Sequence, residues 1–337
     1  MTVIYAILIF CLLIFVHEFG HFIVAKACGV KVNQFALGMG PAIFKKQKGD
    51  TLYSLRAFPI GGYCAMEGED EDSDDPRAFN KKASWQKALI VVAGAFMNLV
   101  LAIIIMIAIS FFAGTATTTM DIVQDNSPAQ AAGIQPGDTI VEIDGKEVDE
   151  WMDIYTFISE STGETIAITA IDKNGNEKNI VSGFVVSEDG RRVIGISPTK
   201  EHSLIDATVT GVKGTWQLAV GMVDIFKQLF TGDVSADELS GPVGIVAVVN
   251  DTASLGFVYI AYLTALISLN LAIVNMLPFP ALDGGRLVFI VIRKITGKAI
   301  TDEIEGKVHF VGIMLLFALM IYVTWNDIMR FIVPIFN

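Results

Sequence analysis

Apolar residues run without a polar face through four stretches of the chain: Val3 to Val24, Ala88 to Ala113, Ala253 to Leu277, and Val308 to Tyr322. The last is readable as far as Ile335, past Trp325, Asn326, Asp327 and Arg330. About 20 apolar residues at 1.5 Å rise cross the ~30 Å hydrocarbon core of a bilayer, so each stretch predicts a transmembrane helix. Thr215 to Phe230 has a different pattern. Asp224 and Lys227 interrupt it, and its apolar residues fall mainly on one side. It predicts an amphipathic helix lying on the outer membrane surface or against the bundle.

Two regions depart from the helical pattern. Between residues 32 and 65, Gly38, Gly40, Pro41, Gly49, Pro59, Gly61 and Gly62 break up short extended runs, Gln34–Leu37 and Thr51–Phe58. The expectation is a β-hairpin or looped sheet close to the membrane, with a strand edge along Thr51–Phe58. Backbone of this kind at membrane depth is tolerated against protein or a water-filled cavity, so the region either lines a site or is an ordinary loop. Glu67 to Asp75 is acidic and reads as a solvated, mobile loop. From Thr115 to His202, strand-like runs alternate with turns. Thr139–Ile143 precedes Asp144-Gly145, and Thr165–Ile171 precedes Lys173-Asn174-Gly175-Asn176. With a helix near Asp149–Ser159, this predicts a small α+β domain. Gly241-Pro242-Val243-Gly244 reads as a turn. The predicted organisation is a membrane core at 1–114 and 253–337, an inserted domain at 115–202 and an amphipathic connector at 203–252.

Composition agrees with a membrane protein: 337 residues, 53% hydrophobic, with 24 basic against 36 acidic side chains. The net charge of −12 argues against nucleic acid as a partner. The three cysteines, Cys11, Cys28 and Cys64, lie in the first fifth of the chain, so the inserted domain has no disulfide framework. The first apolar run lacks a basic leader and carries the chemistry described next, so it is not expected to be a cleaved signal. Lys26 and Lys31 follow the first span, Lys81, Lys82 and Lys87 precede the second, and Arg286, Arg293, Lys294 and Lys298 follow the third. The positive-inside rule then puts these ends in the cytoplasm and the inserted domain outside. Spans one and three run in the same direction, so their C-terminal ends reach the same side of the membrane.

The first span contains His17-Glu18-Phe19-Gly20-His21. On a helix, His17 and His21 are one turn apart on one face, the H-E-x-x-H arrangement that holds zinc with the glutamate as general base. Ionisable groups inside a lipid-crossing helix need a compensating partner, and a metal supplies one. Catalytic zinc takes three protein ligands and leaves one position for water. Asp283, in the Pro- and Gly-rich break after the third span, is the third-ligand candidate. His202 lies in or just after the outer domain, His309 opens the last span, and Glu303 and Glu305 are expected in a solvated loop. Zinc in such a site lowers the pKa of water to about 7, and Glu18 would take the proton and pass it to a leaving amine. One zinc ion per chain and peptide hydrolysis follow. Asn275 would contact substrate or bond between helices, and Asn98, in the second span, carries the same two readings.

These residues resemble the site-2 protease family of intramembrane zinc metalloproteases. His17–His21 is similar to the family's first-span motif. Asn275-Met276-Leu277-Pro278-Phe279-Pro280-Ala281-Leu282-Asp283-Gly284 is similar to its N-x-x-P-x-P-x-L-D-G motif, which carries the third ligand. Phe35–Pro41 and Pro59–Tyr63 resemble the family's membrane-associated β-hairpin, which brings Gly61 and Gly62 in as substrate-binding candidates. Ser127-Pro128-Ala129 and Gly133–Asp138 resemble a single bacterial protease-type PDZ domain. Gly94-Ala95-Phe96-Met97-Asn98 departs from the G-P-x-x-N of many relatives by lacking the proline. The resemblance implies a multi-pass helical protein of the bacterial inner membrane, with four transmembrane helices, a β-hairpin region and an extracytoplasmic PDZ domain. It further implies single-span membrane substrates, such as anti-sigma factors or signal-peptide remnants, first cut by another protease. The rivals are an inactive membrane-anchored PDZ scaffold and an ion or metal transporter. The first needs a broken motif, and the second usually shows repeats and more spans.

Overall fold

The computed structural model describes residues 2–69, 71–187, 190–232, 241–297 and 302–332. The proposed extension of the last span to Ile335 ends outside the described residues, and Lys298 also lies outside them. The chain divides into two compact units, residues 1–109 with 211–337, and residues 110–210.

The larger unit holds four helices apolar and long enough to cross a membrane, within Ile4–Ala27, Ser84–Ala113, Phe257–Asn275 and Glu303–Arg330. They belong to α1 (Thr2–Ala27), α2 (Ser84–Ala113), α7 (Phe257–Asn275) and α9 (Asp302–Asp327). α1 and α2 approach closely because glycine allows it. A Cβ added at Gly20 would stand 2.8 Å from both the Ala93 carbonyl carbon and Met97 Cγ. Small residues at such crossings let backbones touch where lipid offers no hydrophobic drive to associate. α2 is also tied to α7, where the Ser268 hydroxyl donates to the buried Asn98 carbonyl oxygen at 2.7 Å.

Between α1 and α2 the chain forms β1 (Val32–Lys48) and β2 (Thr51–Met66), an antiparallel pair with several register shifts. Phe35 is in register with both Tyr53 and Cys64, and Tyr53 with both Phe35 and Lys46. The two long strands thus make four extended runs, ordered 44–47, 52–55, 34–37 and 62–65. The expected edge along Thr51–Phe58 is corrected here: Tyr53, Ser54 and Leu55 have neighbours on both sides, and residues 62–65 form an outer run. Phe35, Cys64 and Met66 are buried against Ala25, Val30, Ile90 and Val91.

The acidic segment after β2 is not simply solvated. Glu67 accepts from Lys31 Nζ and Asn33 Nδ2, each at 3.0 Å, and from Ser73 Oγ at 2.6 Å. The Ser73, Asn33 and Lys31 donors lower its pKa from 4.5 to about 2. Arg77 donates to Asp50 at 2.7 Å, and Glu69 pairs with Arg286.

Later elements refine the third span. Gly241–Gly244 does not form an isolated turn but begins α6 (Pro242–Leu255). Gly256, at φ 116°, breaks the path before α7, so the helix starts later than expected. Val249 of α6 packs with Ala6, Ile9 and Leu13 of α1. The buried Asp327 carboxylate accepts from the Gly244 amide at 2.8 Å, satisfying a donor in the first turn of α6. After α7 come α8 (Asp283–Thr296) and α9. Glu303 and Glu305 lie in α9, not in a solvated loop. Glu305 is half-buried and pairs with Arg293, while Glu303 is exposed. The helix α5 (Leu204–Thr231) covers the predicted amphipathic segment, with Thr215 buried and Trp216 exposed.

The second unit is α+β. Its strands β3 (Thr115–Val123), β4 (Thr139–Ile143), β5 (Lys146–Glu147), β6 (Ile166–Ile171), β7 (Glu177–Ser182) and β10 (Ile196–Glu201) form one sheet. The order is β10-β3-β4-β6-β7, with β5 paired to β4. β8 (Val185–Val186) and β9 (Arg192–Val193) pair separately. Asp144 and Gly145, at φ 47° and 77°, make the two-residue β4–β5 turn that the Asp-Gly pair predicts. α3 (Pro128–Ala132) is capped by Ser127, and α4 (Trp151–Glu160) carries a capping box from Glu150 and Asp153. Ile140, Ile143, Ile154, Ile166, Ile168 and Ala170 fill the core.

The low pKa of Glu67 gives a prediction. Its contribution to holding the 67–77 segment is complete above about pH 4.5 and is lost as pH falls through about 2. Amide hydrogen exchange over 71–77, corrected for intrinsic rates, should rise between pH 5 and pH 2, and Glu67→Gln should already show the raised exchange at pH 5. Equal exchange in both proteins at pH 5 would mean that Glu67 does not hold the segment.

Candidate metal centre and active site

His17, Glu18 and His21 lie in the C-terminal half of α1. Asp283 is the first residue of α8, delivered by the turn after α7. The structure brings the two segments together although Asp283 lies 262 positions after His21. His17 Nε2 and His21 Nε2 are 3.2 Å apart. Asp283 Oδ2 is 3.2 Å from the first and 3.5 Å from the second. Ligand atoms about 2.05 Å from a tetrahedral zinc are about 3.3 Å from one another, so this triangle has the size of one face of a zinc tetrahedron.

The bonding of each group supports that fit. Asp283 Oδ2 is buried and makes no hydrogen bond. A buried carboxylate oxygen without a hydrogen bond is costly unless a metal ion or a water completes it. A carboxyl group of ordinary acidity is ionised at neutral pH. The group is therefore an anion able to ligate. His21 Nδ1 is 2.8 Å from the Ile90 carbonyl oxygen, which can only accept. The Nδ1–H therefore donates, leaving the Nε2 lone pair directed at the centre, the usual support for a metal-binding histidine.

Asn98 supports the other imidazole. Its side-chain amide lies 3.4 Å from His17 Nδ1, and its Oδ1 is buried without a partner. A half-turn of the amide, which shape alone does not distinguish, lets Oδ1 accept from Nδ1–H and frees the His17 Nε2 lone pair for a metal. Asn98 is fully buried and is placed on a ligand, not on the cavity wall. Asn275, half-buried at the end of α7, does not line the cavity either.

That cavity, about 430 Å³, is lined by His17, Glu18, His21, Asp283, the Tyr63–Met66 run, Glu69 and Arg286 among others. Glu18 faces the backbone amide of Cys64. Burial, with the Glu18 and Glu69 charges, raises the Cys64 thiol well above its ordinary pKa. Gly62 backs the glutamate: a Cβ there would stand 3.3 Å from Glu18 Cγ and 3.0 Å from Ile14 Cγ2. Gly61, at φ 82°, turns the strand against Met39. His202 bonds to the Phe111 carbonyl oxygen within the second unit.

One residue matters more than its sequence signal suggested. In the sequence Gly94 stands out only as the first residue of the Gly94–Asn98 stretch. A Cβ at Gly94 would lie 2.7 Å from His17 Cε1 and 2.8 Å from His17 Nε2, and would also strike His21 Nε2. The signal that could have found it is its place in α2 opposite the H-E-x-x-H turn, four residues before Asn98.

The model of peptidase family M50 matches residues 5–319. The chain belongs to peptidase family M50. A Shouchella clausii protein named zinc metalloprotease RasP is 30% identical, with 98% of this chain and 99% of that protein aligned. A Clostridium acetobutylicum protein, whose name assigns it provisionally to the zinc metalloproteases, is 40% identical over 97% of both chains. A solved PDZ domain of an SdrC-like protein from Listeria innocua is 25% identical over 26% of this chain and 97% of that domain, with a TM-score of 0.22. This M50 member is accordingly a membrane zinc metalloprotease, and the inactive-scaffold and transporter alternatives lose their support.

Two glycine substitutions should separate ligand placement from base placement. Gly94→Ala should lower zinc affinity at least tenfold, because its methyl occupies the space of the imidazoles. Gly62→Ala should keep zinc and lower turnover, because its methyl displaces Glu18. Zinc titration of purified protein by chelator competition, with peptide-cleavage rates, checks both. Wild-type zinc affinity in Gly94→Ala would show that the helices yield instead of the ligands.

Proposed function

We propose that this enzyme cleaves transmembrane segments of single-span membrane proteins within the bilayer, in regulated intramembrane proteolysis. The observation that carries the reading is the polar cavity around His17, Glu18, His21 and Asp283, set at the end of an apolar helix of membrane-crossing length. A soluble peptidase has no need to place its base and ligands there, because the apolar surroundings disfavour every charge involved.

Zinc bound by His17 Nε2, His21 Nε2 and an oxygen of Asp283 would supply Lewis acidity and make water nucleophilic at neutral pH. Glu18 takes a proton from the attacking water as its oxygen bonds to the scissile carbonyl carbon. As the C–N bond breaks, the Glu18 carboxyl returns that proton to the leaving nitrogen. Ile90 and Asn98 keep the imidazoles turned so that neither Nε2 carries the proton. The Tyr63–Met66 run offers an extended surface beside these groups, suited to a substrate strand.

A scissile bond in a helix has its carbonyl hydrogen-bonded and shielded by side chains, so the substrate must unwind locally. We therefore assign as substrates single spans weakened by Gly, Pro or Asn near their cytoplasmic half, such as anti-sigma factors and signal-peptide remnants already trimmed by another protease. The 110–210 unit, with its Ser127-Pro128-Ala129 and Gly133–Asp138 motifs, serves as an extracytoplasmic PDZ domain that rejects bulky outer domains. The enzyme sits in the bacterial inner membrane with four spans and its site toward the cytoplasm, as the lysine and arginine distribution favours.

Three outcomes test this proposal. Glu18→Gln keeps shape but cannot take the proton, so zinc should be retained and turnover should fall about 10²–10⁴-fold. Activity within a few-fold of wild type would remove Glu18 as the base. In proteoliposomes carrying a single-span substrate, replacing its helix-weakening residues with Leu should slow cleavage strongly. Equal rates would mean that unwinding is not limiting. A cysteine at Ser187 in otherwise cysteine-free protein should react with an impermeant reagent on intact cells. Labelling only after lysis would reverse the topology.

A further inference from the structure

The turn that delivers Asp283 has an unusual conformation. Ala281 has φ 75°, one of three non-glycine residues among those described with positive φ. A side chain in the left-handed region is strained and persists only where surrounding contacts enforce it. One such contact is plain: the Ala281 N–H donates to His309 Nδ1 at 2.8 Å. The acceptor comes from α9, and Gly312, one turn further along α9, leaves room for Pro280 of the same turn.

The bond fixes the tautomer of His309. A backbone N–H can only donate, so Nδ1 must be the unprotonated nitrogen and Nε2 carries the hydrogen. Nε2 is buried and makes no hydrogen bond, and Glu305 Oε1 lies 3.7 Å from it. Glu305 is itself held by Arg293 Nη2 at 2.5 Å. The imidazole also rests on Phe289 of α8, ring centroids 5.7 Å apart. Arg293, Glu305, His309 and Ala281 thus form a chain of polar contacts from α8 through α9 into the turn, ending two residues before Asp283. With Nδ1 occupied by Ala281 and Nε2 facing Glu305, His309 has no lone pair to offer the metal centre.

We propose that His309 is a positioning residue, which holds the Ala281 turn so that Asp283 meets His17 and His21 in ligating register, with the Glu305 carboxylate facing its Nε2–H. This rests on the reading of Asp283 as a zinc ligand. Outer contacts that orient a ligand are typically worth about 10–100-fold in metal affinity.

The test is zinc affinity of purified full-length protein in detergent, by chelator competition, on wild type, His309→Leu, His309→Asn and Asp283→Ala. Asn places its Oδ1 near the position of Nδ1 and restores an acceptor for Ala281, whereas Leu does not. Affinity should fall about 10–100-fold in His309→Leu and stay within about threefold of wild type in His309→Asn. Wild-type affinity in His309→Leu, with zinc lost from Asp283→Ala, overturns the positioning role and leaves the zinc site standing. Equal losses in the Leu and Asn variants overturn it too, because general packing would then suffice. Zinc retained in Asp283→Ala would instead remove the ligand reading itself. Should His309→Leu not fold, hydrogen exchange over Phe279–Leu282 decides. A protected Ala281 amide in wild type and His309→Asn is expected, and free exchange in wild type contradicts the proposal.

Discussion

Two imidazoles and two carboxylates are held in an apolar setting by a close approach of backbones. Gly20 lets α1 lie against Ala93 and Met97, and Gly94 leaves the space that His17 and His21 occupy. Without those two hydrogens in place of methyls, the ring nitrogens could not converge on a third ligand. Much of what surrounds them serves that convergence. The Ile90 carbonyl and the Asn98 amide turn the rings, and Ser268 ties the Asn98 backbone to α7.

The third ligand is a matter of chain path. α7 ends at Asn275, and two prolines and a left-handed Ala281 turn the chain so that Asp283 begins a new helix. Gly284 and Gly285 are required by crowding: a side chain at either would strike the Met276, Leu277 or Phe279 carbonyls. The motif's two glycines and prolines are thus the shape of a tight reversal, and its aspartate is the chemical group that the reversal presents. β2 completes the enclosure, bringing Tyr63–Met66 to the cavity and setting Gly62 behind Glu18.

Much of this was legible in the residues. The H-E-x-x-H spacing, the apolar runs, the Asp144-Gly145 turn and the one-sided helix around Thr215 follow from local periodicity and turn chemistry, and a helix or turn forms at each, although the third apolar run is broken at Gly256. What escaped is non-local. Glu67 and Glu69 read as a solvated acidic run because their partners, Lys31 and Arg286, lie 36 and 217 residues away. Glu305 and His309 read as loop and span-start residues because only α8 shows what they face. The order of the four extended runs in β1 and β2 depends on register shifts that no alternation pattern records, so the edge was expected one run too early. The role of Gly94 stays hidden because nothing in the sequence says which side chains fill the space it leaves.

The central claim is a zinc centre built from two imidazole nitrogens and one carboxylate oxygen. Zinc X-ray absorption on the purified enzyme tests it most directly. The predicted spectrum is fitted by nitrogen and oxygen scatterers alone at about 2.0–2.1 Å, with two imidazole contributions. In Asp283→Ala, zinc should be lost or should lose an oxygen scatterer. A sulfur scatterer at about 2.3 Å would place Cys64 or another thiolate in the centre and contradict the account. So would an unchanged spectrum in Asp283→Ala.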